Sequence, residues 1–441
     1  MKRLLSLLLC AVLALFCATT AQAAGVSITL TASEYALHYA FDAGAQDPFV
    51  ILEYATPAEK GWMMLYSADG HFEGDVSLAY SGAGGKTSVA LTSARTTGSI
   101  GKASTTLPKA VDYQKPTGKS NAKVTDFVLT ETPEGFHYAF NAIGTDYMLL
   151  YWRSKEQTVT QPVYPDENGH YEGDVISNLT FARTQFTVQV KSGSGSMKKE
   201  ATVRKGYQAP EAPQRQEGRL SGVTVCIDAG HQENGRFVNE PIGPGLSGST
   251  SGKGGMAQGT KTNRRESIVC LEIGMLLRDE LLRQGANVVM TREDQTTFHT
   301  NIERCEIAEA GGAQIMLRLH CNNSSNRSKR GIQVYGPLNS DYAKAVADAD
   351  TYREMGQKLL DAMKTRVGMT LANSTGMVRL NDNYVGNNWA KMMCFLVEMG
   401  YLSNPAEEYL LVTPVYQQWL AEGMADGVYE IAVARGWVQA Q

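Results

Sequence analysis

An internal duplication sets the architecture of the first half of this chain. His38-Tyr-Ala-Phe-Asp-Ala43 recurs as His137-Tyr-Ala-Phe-Asn-Ala142, and Gly70-His-Phe-Glu-Gly-Asp-Val76 recurs at the same offset as Gly169-His-Tyr-Glu-Gly-Asp-Val175. Tyr113-Gln-Lys-Pro116 matches Tyr207-Gln-Ala-Pro210 at a slightly shorter offset, so a few residues are missing from the second copy. Fixed-period self-similarity of this kind means one structural unit used twice. Residues 24–116 and 117–208 are the two copies.

Each copy reads as short alternating runs such as SITLTA, ALHYAF and FVILEY, separated by Gly, Asp, Asn and Ser. Alternation with frequent Thr, Val, Tyr and Phe predicts antiparallel strands, and hence two tandem β-sandwich domains. Positions kept in both copies reflect the scaffold, so His38, His71, His137 and His170 are read as strand or turn residues. His231, His299 and His320 then remain for chemistry. Trp62, Tyr66, Trp152 and Tyr164 are candidates for stacking on sugars, with strand packing as the ordinary alternative.

The first 23 residues carry Lys2 and Arg3, an apolar stretch from Leu4 to about Ala18, and Ala21-Gln22-Ala23. That order predicts a secretory signal cleaved after Ala23. The stretch is short for a bilayer span, and no later run is long and apolar enough, so no stable membrane insertion is expected. Five cysteines follow the signal, all in the last half and without paired spacing, which argues against a disulfide framework or a cysteine zinc cluster. With a formal net charge of -4 and no block of like charge, nothing suggests nucleic acid as a partner.

A Pro, Gln and Glu-rich stretch within residues 209–219 has little to bury and reads as a linker. Beyond it, residues 220–441 change character. VTVCIDAG, ANVVMTR, QIMLRLH and MMCFLVE are buried-strand patterns, alternating with helical periodicity over Glu266 to about Arg283, over TNIERCEIAEAGG and over Tyr352 to Arg366. Gly285 is placed to stop the first helix. This alternation predicts an α/β catalytic domain with a mainly parallel sheet covered by helices.

Three polar residues each end an apolar run: His231, His320 and Glu398. Open α/β sheets place their chemistry beyond the carboxyl ends of the strands. With Glu266 at the start of a helix, the set offers two imidazoles and a carboxylate for a catalytic zinc, and a second carboxylate as proton acceptor. Each residue alone is equally well explained as a strand-end side chain satisfied by the backbone.

The local words extend this reading. Val225-Cys-Ile-Asp-Ala-Gly-His231, Arg265-Glu266-Ser-Ile, Thr291-Arg-Glu-Asp294 with Arg304 and Ala308, Leu319-His320-Cys-Asn322 and Val397-Glu398-Met-Gly-Tyr-Leu-Ser-Asn404 occur in this order. Between about Gly222 and Gly436 the chain resembles the zinc-dependent N-acetylmuramoyl-L-alanine amidases of bacterial cell walls. The resemblance implies zinc held by His231, Glu266 and His320, and Glu398 as the catalytic base. The implied reaction on peptidoglycan is hydrolysis of the amide between N-acetylmuramic acid and L-alanine of the stem peptide. Asp228 and Asn322 adjoin the ligands and are candidates to orient them, with helix capping or turn formation as the alternative.

Two departures stand out. Ala229 stands where the family usually has Pro, and the connection between His231 and Glu266 is longer than usual. That connection contains SGSTSGKGG, which fails as a phosphate-binding loop because Ser247 replaces its first Gly and Gly254 follows Lys253. It is read as a rim of the cleft or a solvated insertion. Arg292 and Arg304 are expected in salt bridges, Trp389 in packing or, with Asn387 and Asn388, at the substrate, and His299 at the surface. Two rival functions are an inert wall-binding protein and a zinc peptidase acting within the stem peptide.

Overall fold

The computed structural model describes residues 18–22, 25–45, 47–116, 121–132, 135–154, 157–176, 184–205, 210–232, 238–250, 255–367 and 377–440. Two compact units make up the chain, Met1–Gly206 and Tyr207–Gln441. Of the expected signal, only Ala18–Gln22 lies within the described residues.

Among the described residues, the first unit is all β. Its strands are β1 (Ala18–Gln22), β2 (Ser27–Ala32), β3 (Ala36–Asp42), β4 (Phe49–Ala55), β5 (Glu59–Tyr66), β6 (His71–Ser77), β7 (Gly85–Ser93) and β8 (Ser99–Leu107). The second copy supplies β9 (Lys123–Thr132), β10 (Gly135–Ile143), β11 (Met148–Arg153), β12 (Gln157–Val163), β13 (His170–Ile176), β14 (Thr184–Lys191) and β15 (Met197–Lys205). The copies share one plan: β2-β3-β6 is matched by β9-β10-β13, and β8-β7-β4-β5 by β15-β14-β11-β12. Alternation does the folding. In β3, Leu37, Tyr39 and Phe41 point into the core while His38 and Asp42 stay outside. The stacked pair Phe41–Phe72 is repeated as Phe140–Tyr171, with centroids 4.9 and 4.6 Å apart.

Sequence periodicity suggests two separate sandwiches, but the larger layers of the two copies are continuous. Equivalent edge strands β5 and β12 pair antiparallel, with Lys60 opposite Thr158, and the two layers become one eight-stranded sheet. Pairing satisfies the backbone groups that each edge would otherwise expose. Trp152, a candidate for sugar stacking, is fully buried among Phe136, Phe186 and Tyr80.

The second unit alternates strands and helices. In chain order it contains β16 (Thr224–Ala229), α1 (Glu266–Arg283), β17 (Asn287–Met290), α2 (Asn301–Ala310), β18 (Ile315–Asn322) and β19 (Gln333–Gly336). There follow α3 (Asp341–Val346), α4 (Ala349–Arg366), β20 (Met377–Leu380), α5 (Val385–Trp389), β21 (Met393–Tyr401), α6 (Pro405–Leu411) and α7 (Pro414–Ala434). The six-stranded sheet has the order β17-β16-β18-β21-β19-β20. Its first four strands are mutually parallel, whereas β19 meets β21 antiparallel. Strands β16, β18 and β21 are buried almost throughout, with α1 packed on β16 and β18 and with α5 and α6 packed on β21. At its end α1 is closed by Gly285 at φ 94°, a conformation open to glycine. A capping box between Thr300 and Glu303 starts α2.

Candidate metal centre

Because β16, β18 and β21 run in parallel, their carboxyl ends lie on one edge of the sheet. His231 follows β16 after Gly230, while His320 and Glu398 lie near the ends of β18 and β21. In the ladder His320 is directly opposite Glu398. Glu266 enters from the first turn of α1, where the helix dipole favours a negative charge.

Glu266 is 3 % exposed, and one of its oxygens gathers the site. His231 Nε2 lies 3.1 Å from Oε1 and His320 Nδ1 3.0 Å from the same atom. The Cys321 amide donates to Oε1 at 3.0 Å, and the Ala257 amide to Oε2 at 2.7 Å, fixing the carboxylate plane. Burial alone would raise the Glu266 carboxyl, but hydrogen bonds from His231 and His320 outweigh it and hold the group well below the usual carboxylate range. Burial lowers the proton affinity of His320 despite the Glu266 hydrogen bond.

Among the described residues, His231, Glu266 and His320 offer three donor atoms within 4.8 Å of one another, a set able to hold a metal ion. Two buried atoms beside it, His320 Nε2 and Glu398 Oε2, have no hydrogen-bond partner. Unpartnered buried polar atoms are costly unless a site uses them. Burial, and then the Glu266 charge, push the Glu398 carboxyl up to about 8.

The turn at His231 is held in place. His231 has φ 58°, sparsely populated for a non-glycine residue. Arg304 donates to the carbonyls of Ala229 at 3.0 Å and His231 at 3.3 Å, and Arg292 to those of Ala229 at 2.7 Å and Gly230 at 2.9 Å. A Cβ at Gly230 would stand 2.4 Å from the Leu319 carbonyl oxygen and 2.6 Å from His320 Cε1, so only glycine fits against the histidine. Gly386 is required similarly, because a Cβ there would meet the Arg318 guanidinium at 2.2 Å.

Asp228, expected to orient a ligand or form a turn, touches neither imidazole and reaches the His231 turn only through Arg304. Fully buried, it forms an ion pair with Arg304, accepts Arg318 Nε at 2.9 Å and accepts Thr291 Oγ1 at 2.8 Å. Burial opposes its charge, but the two guanidinium groups hold its carboxyl far below the usual range. Asn322 lines the cavity over the centre and donates through Nδ2 to Gln333 Oε1 at 3.1 Å. The Arg304 expectation matches its ion pair, whereas Arg292 donates to four backbone carbonyls, Ser267 and Asp294 included. Asn387 and Asn388 are buried donors to the carbonyls of Tyr335 and Ile242, and Trp389 Nε1 donates to Pro241, so this trio is scaffold.

A cavity of about 580 Å³ opens over the centre. Its walls include Arg318, Asn301, His299 and Tyr384, none of which the sequence places at the site; His299 is expected at the surface or in a loop. The charged Arg318 inside the apolar run QIMLRLH was the available signal. The long connection after His231 contributes Val238, Glu240, Thr250, Gly255 and Ala257 to the lining. It is anchored by Glu240, whose carboxylate accepts from the Ile302 amide at 2.8 Å and the Asn301 amide at 3.2 Å at the start of α2. Its central SGKG stretch, 251–254, lies outside the described residues.

Residues 225–430 match the N-acetylmuramoyl-L-alanine amidase family. A germination-specific N-acetylmuramoyl-L-alanine amidase of Bacillus subtilis (strain 168) is 26% identical over 231 residues, covering 49% of this chain and 83% of that protein. A probable cell wall amidase, LytH, of Staphylococcus aureus is 27% identical over 218 residues, covering 48% of this chain and 60% of the relative. The solved N-acetylmuramoyl-L-alanine amidase from Clostridium difficile 630 is 25% identical, with a TM-score of 0.38 over 48% of this chain and 96% of that one.

Proposed function

We propose, from the premise that residues 225–430 form an N-acetylmuramoyl-L-alanine amidase domain, that this chain is an exported hydrolase of peptidoglycan. It cleaves the amide joining N-acetylmuramic acid to L-alanine of the stem peptide. The observation that carries the reading is the convergence of His231 Nε2 and His320 Nδ1 on Glu266 Oε1, with Glu398 opposite His320. His231, Glu266 and His320 would hold zinc, the borderline ion suited to two imidazoles and a carboxylate. When bound, zinc supplies a Lewis acid and an acidified water.

The protein's own groups do the rest. Glu398, opposite His320 across the ladder, takes the proton of the attacking water on its carboxylate and delivers it to the leaving amide nitrogen. The Ala257 and Cys321 amides hold Glu266 in a fixed plane. Arg304 keeps the His231 turn in its positive-φ conformation. Export rests on the basic, apolar and small residues at the start of the chain; among the described residues no helix is long and apolar enough to cross a membrane.

Incubating zinc-loaded protein with purified muropeptides and weighing the products tests the assignment. Free stem peptide beginning with L-alanine is expected. Internal peptide fragments would instead indicate a peptidase, and intact muropeptides an inert wall binder.

A further inference from the structure

The duplicated words that open the chain also build a duplicated side-chain cluster. On the outer face of β3 and β6, His38 stands opposite Asp75, Ala40 opposite Glu73 and Asp42 opposite His71. On β10 and β13, His137 stands opposite Asp174, Ala139 opposite Glu172 and Asn141 opposite His170. The small alanine leaves room for both histidines to lean toward the central glutamate. His38 Nε2 lies 3.3 Å from Glu73 Oε1 and His71 Nε2 3.6 Å from Glu73 Oε2. The second copy repeats this with His137 Nε2 3.1 Å and His170 Nε2 3.8 Å from the two oxygens of Glu172.

The other nitrogen of each ring is held by a side-chain oxygen. His38 Nδ1 is 3.1 Å from Asp75, His71 Nδ1 2.7 Å from Asp42, His137 Nδ1 2.9 Å from Asp174 and His170 Nδ1 2.8 Å from Asn141 Oδ1. In a neutral imidazole an acceptor at Nδ1 fixes the proton there and leaves the Nε2 lone pair outward, as in carboxylate-oriented metal-binding histidines. With the proton on Nδ1, each Nε2 lone pair faces a carboxylate oxygen, acceptor against acceptor, a conflict that either a second ring proton or a metal ion between the two atoms relieves. Two ligands about 2.0–2.1 Å from a tetrahedral zinc stand roughly 3.3 Å apart, close to the four Nε2 to oxygen separations.

We propose that each repeat binds one divalent transition-metal ion of the zinc type through His38, His71 and Glu73 in the first copy and His137, His170 and Glu172 in the second. The two imidazoles reach different oxygens of one carboxylate, so closing on a single ion takes a side-chain rotation, which the 59% exposure of Glu73 permits. Two imidazoles with one carboxylate select zinc-type ions over magnesium or calcium, which prefer all-oxygen sites.

The test is zinc content of the full chain after equilibrium dialysis at micromolar free zinc. Asp42 raises the proton affinity of His71, so loading is done at mildly alkaline pH, where protons do not compete. Relative to the wild type, His71→Gln and His170→Gln should each lose one ion per chain, and the double variant two. The pair Glu73→Gln and Glu172→Gln, which leaves all four histidines in place, should lose the same two ions. Muropeptide hydrolysis by the zinc-loaded double variants is expected to match the wild type. Equal zinc content in the wild type and either double variant would overturn the proposal.

Discussion

His320 and Glu398 face each other across the parallel ladder of β18 and β21, which puts a candidate ligand and a candidate base side by side on rigid strands. Glu398→Gln keeps the shape of the side chain and removes its ability to take a proton. We expect zinc content to be retained while turnover of muropeptides falls by about 10²–10⁴-fold, the usual worth of a positioned general base. Full activity in the zinc-loaded variant would remove Glu398 from the mechanism.

His320→Ala acts on the other member of the pair. Removing one of three ligands should lower the zinc held by the centre, along with activity. Metal analysis of the purified variant, in the His71→Gln and His170→Gln background, reads this centre alone. Retained zinc there would exclude His320 as a ligand.

Much of the second unit was legible because its signals are local. Strands β16, β18 and β21 are apolar runs ending in polar residues, and α1 carries its periodicity from Glu266 onward. The structure brings His231, Glu266, His320 and Glu398 to one sheet edge. Strands β19 and β20 were missed because QVYG and MVRL mix polar and apolar residues without a clear run, whereas the equally short β17 lies in the apolar run ANVVM. The role of Asp228 was also hidden, since its partners Arg304 and Arg318 are distant in sequence and meet it only through the fold. The pairing of β5 with β12 is likewise nonlocal, set by two edges that no single-strand pattern reveals.

Asp228→Asn tests the ion cluster beneath the centre. The substitution leaves the buried guanidinium groups of Arg304 and Arg318 without their shared counter-charge, an arrangement that costs about 3–5 kcal/mol. A lower urea midpoint of the second unit is expected, together with weaker zinc binding, because Arg304 also holds the His231 carbonyl. An unchanged midpoint would show that these arginines find other partners.

Glu59 offers a pH-dependent test in the first unit, at the join between the copies. It is 2% exposed and accepts from the Tyr80 amide at 3.0 Å, Ser81 Oγ at 2.9 Å and Gln157 Nε2 at 3.2 Å. Burial raises its carboxyl from 4.5 to about 7, against these hydrogen bonds. The folded state therefore holds the proton more tightly than the unfolded chain. The resulting stability is fully present below pH 4.5 and is lost as pH rises through about 7. At 1.36 kcal/mol per unit the loss is on the order of 3 kcal/mol. Glu59→Gln removes the charge, keeps an oxygen for Tyr80 and Ser81, and lets the Gln157 amide turn over to accept from the new amide. Calorimetry at pH 5 and pH 8 should show the variant gaining on the wild type at the higher pH, with groups common to both proteins cancelling. A difference in melting midpoint that stays constant across this window would exclude Glu59 as the source of the pH dependence.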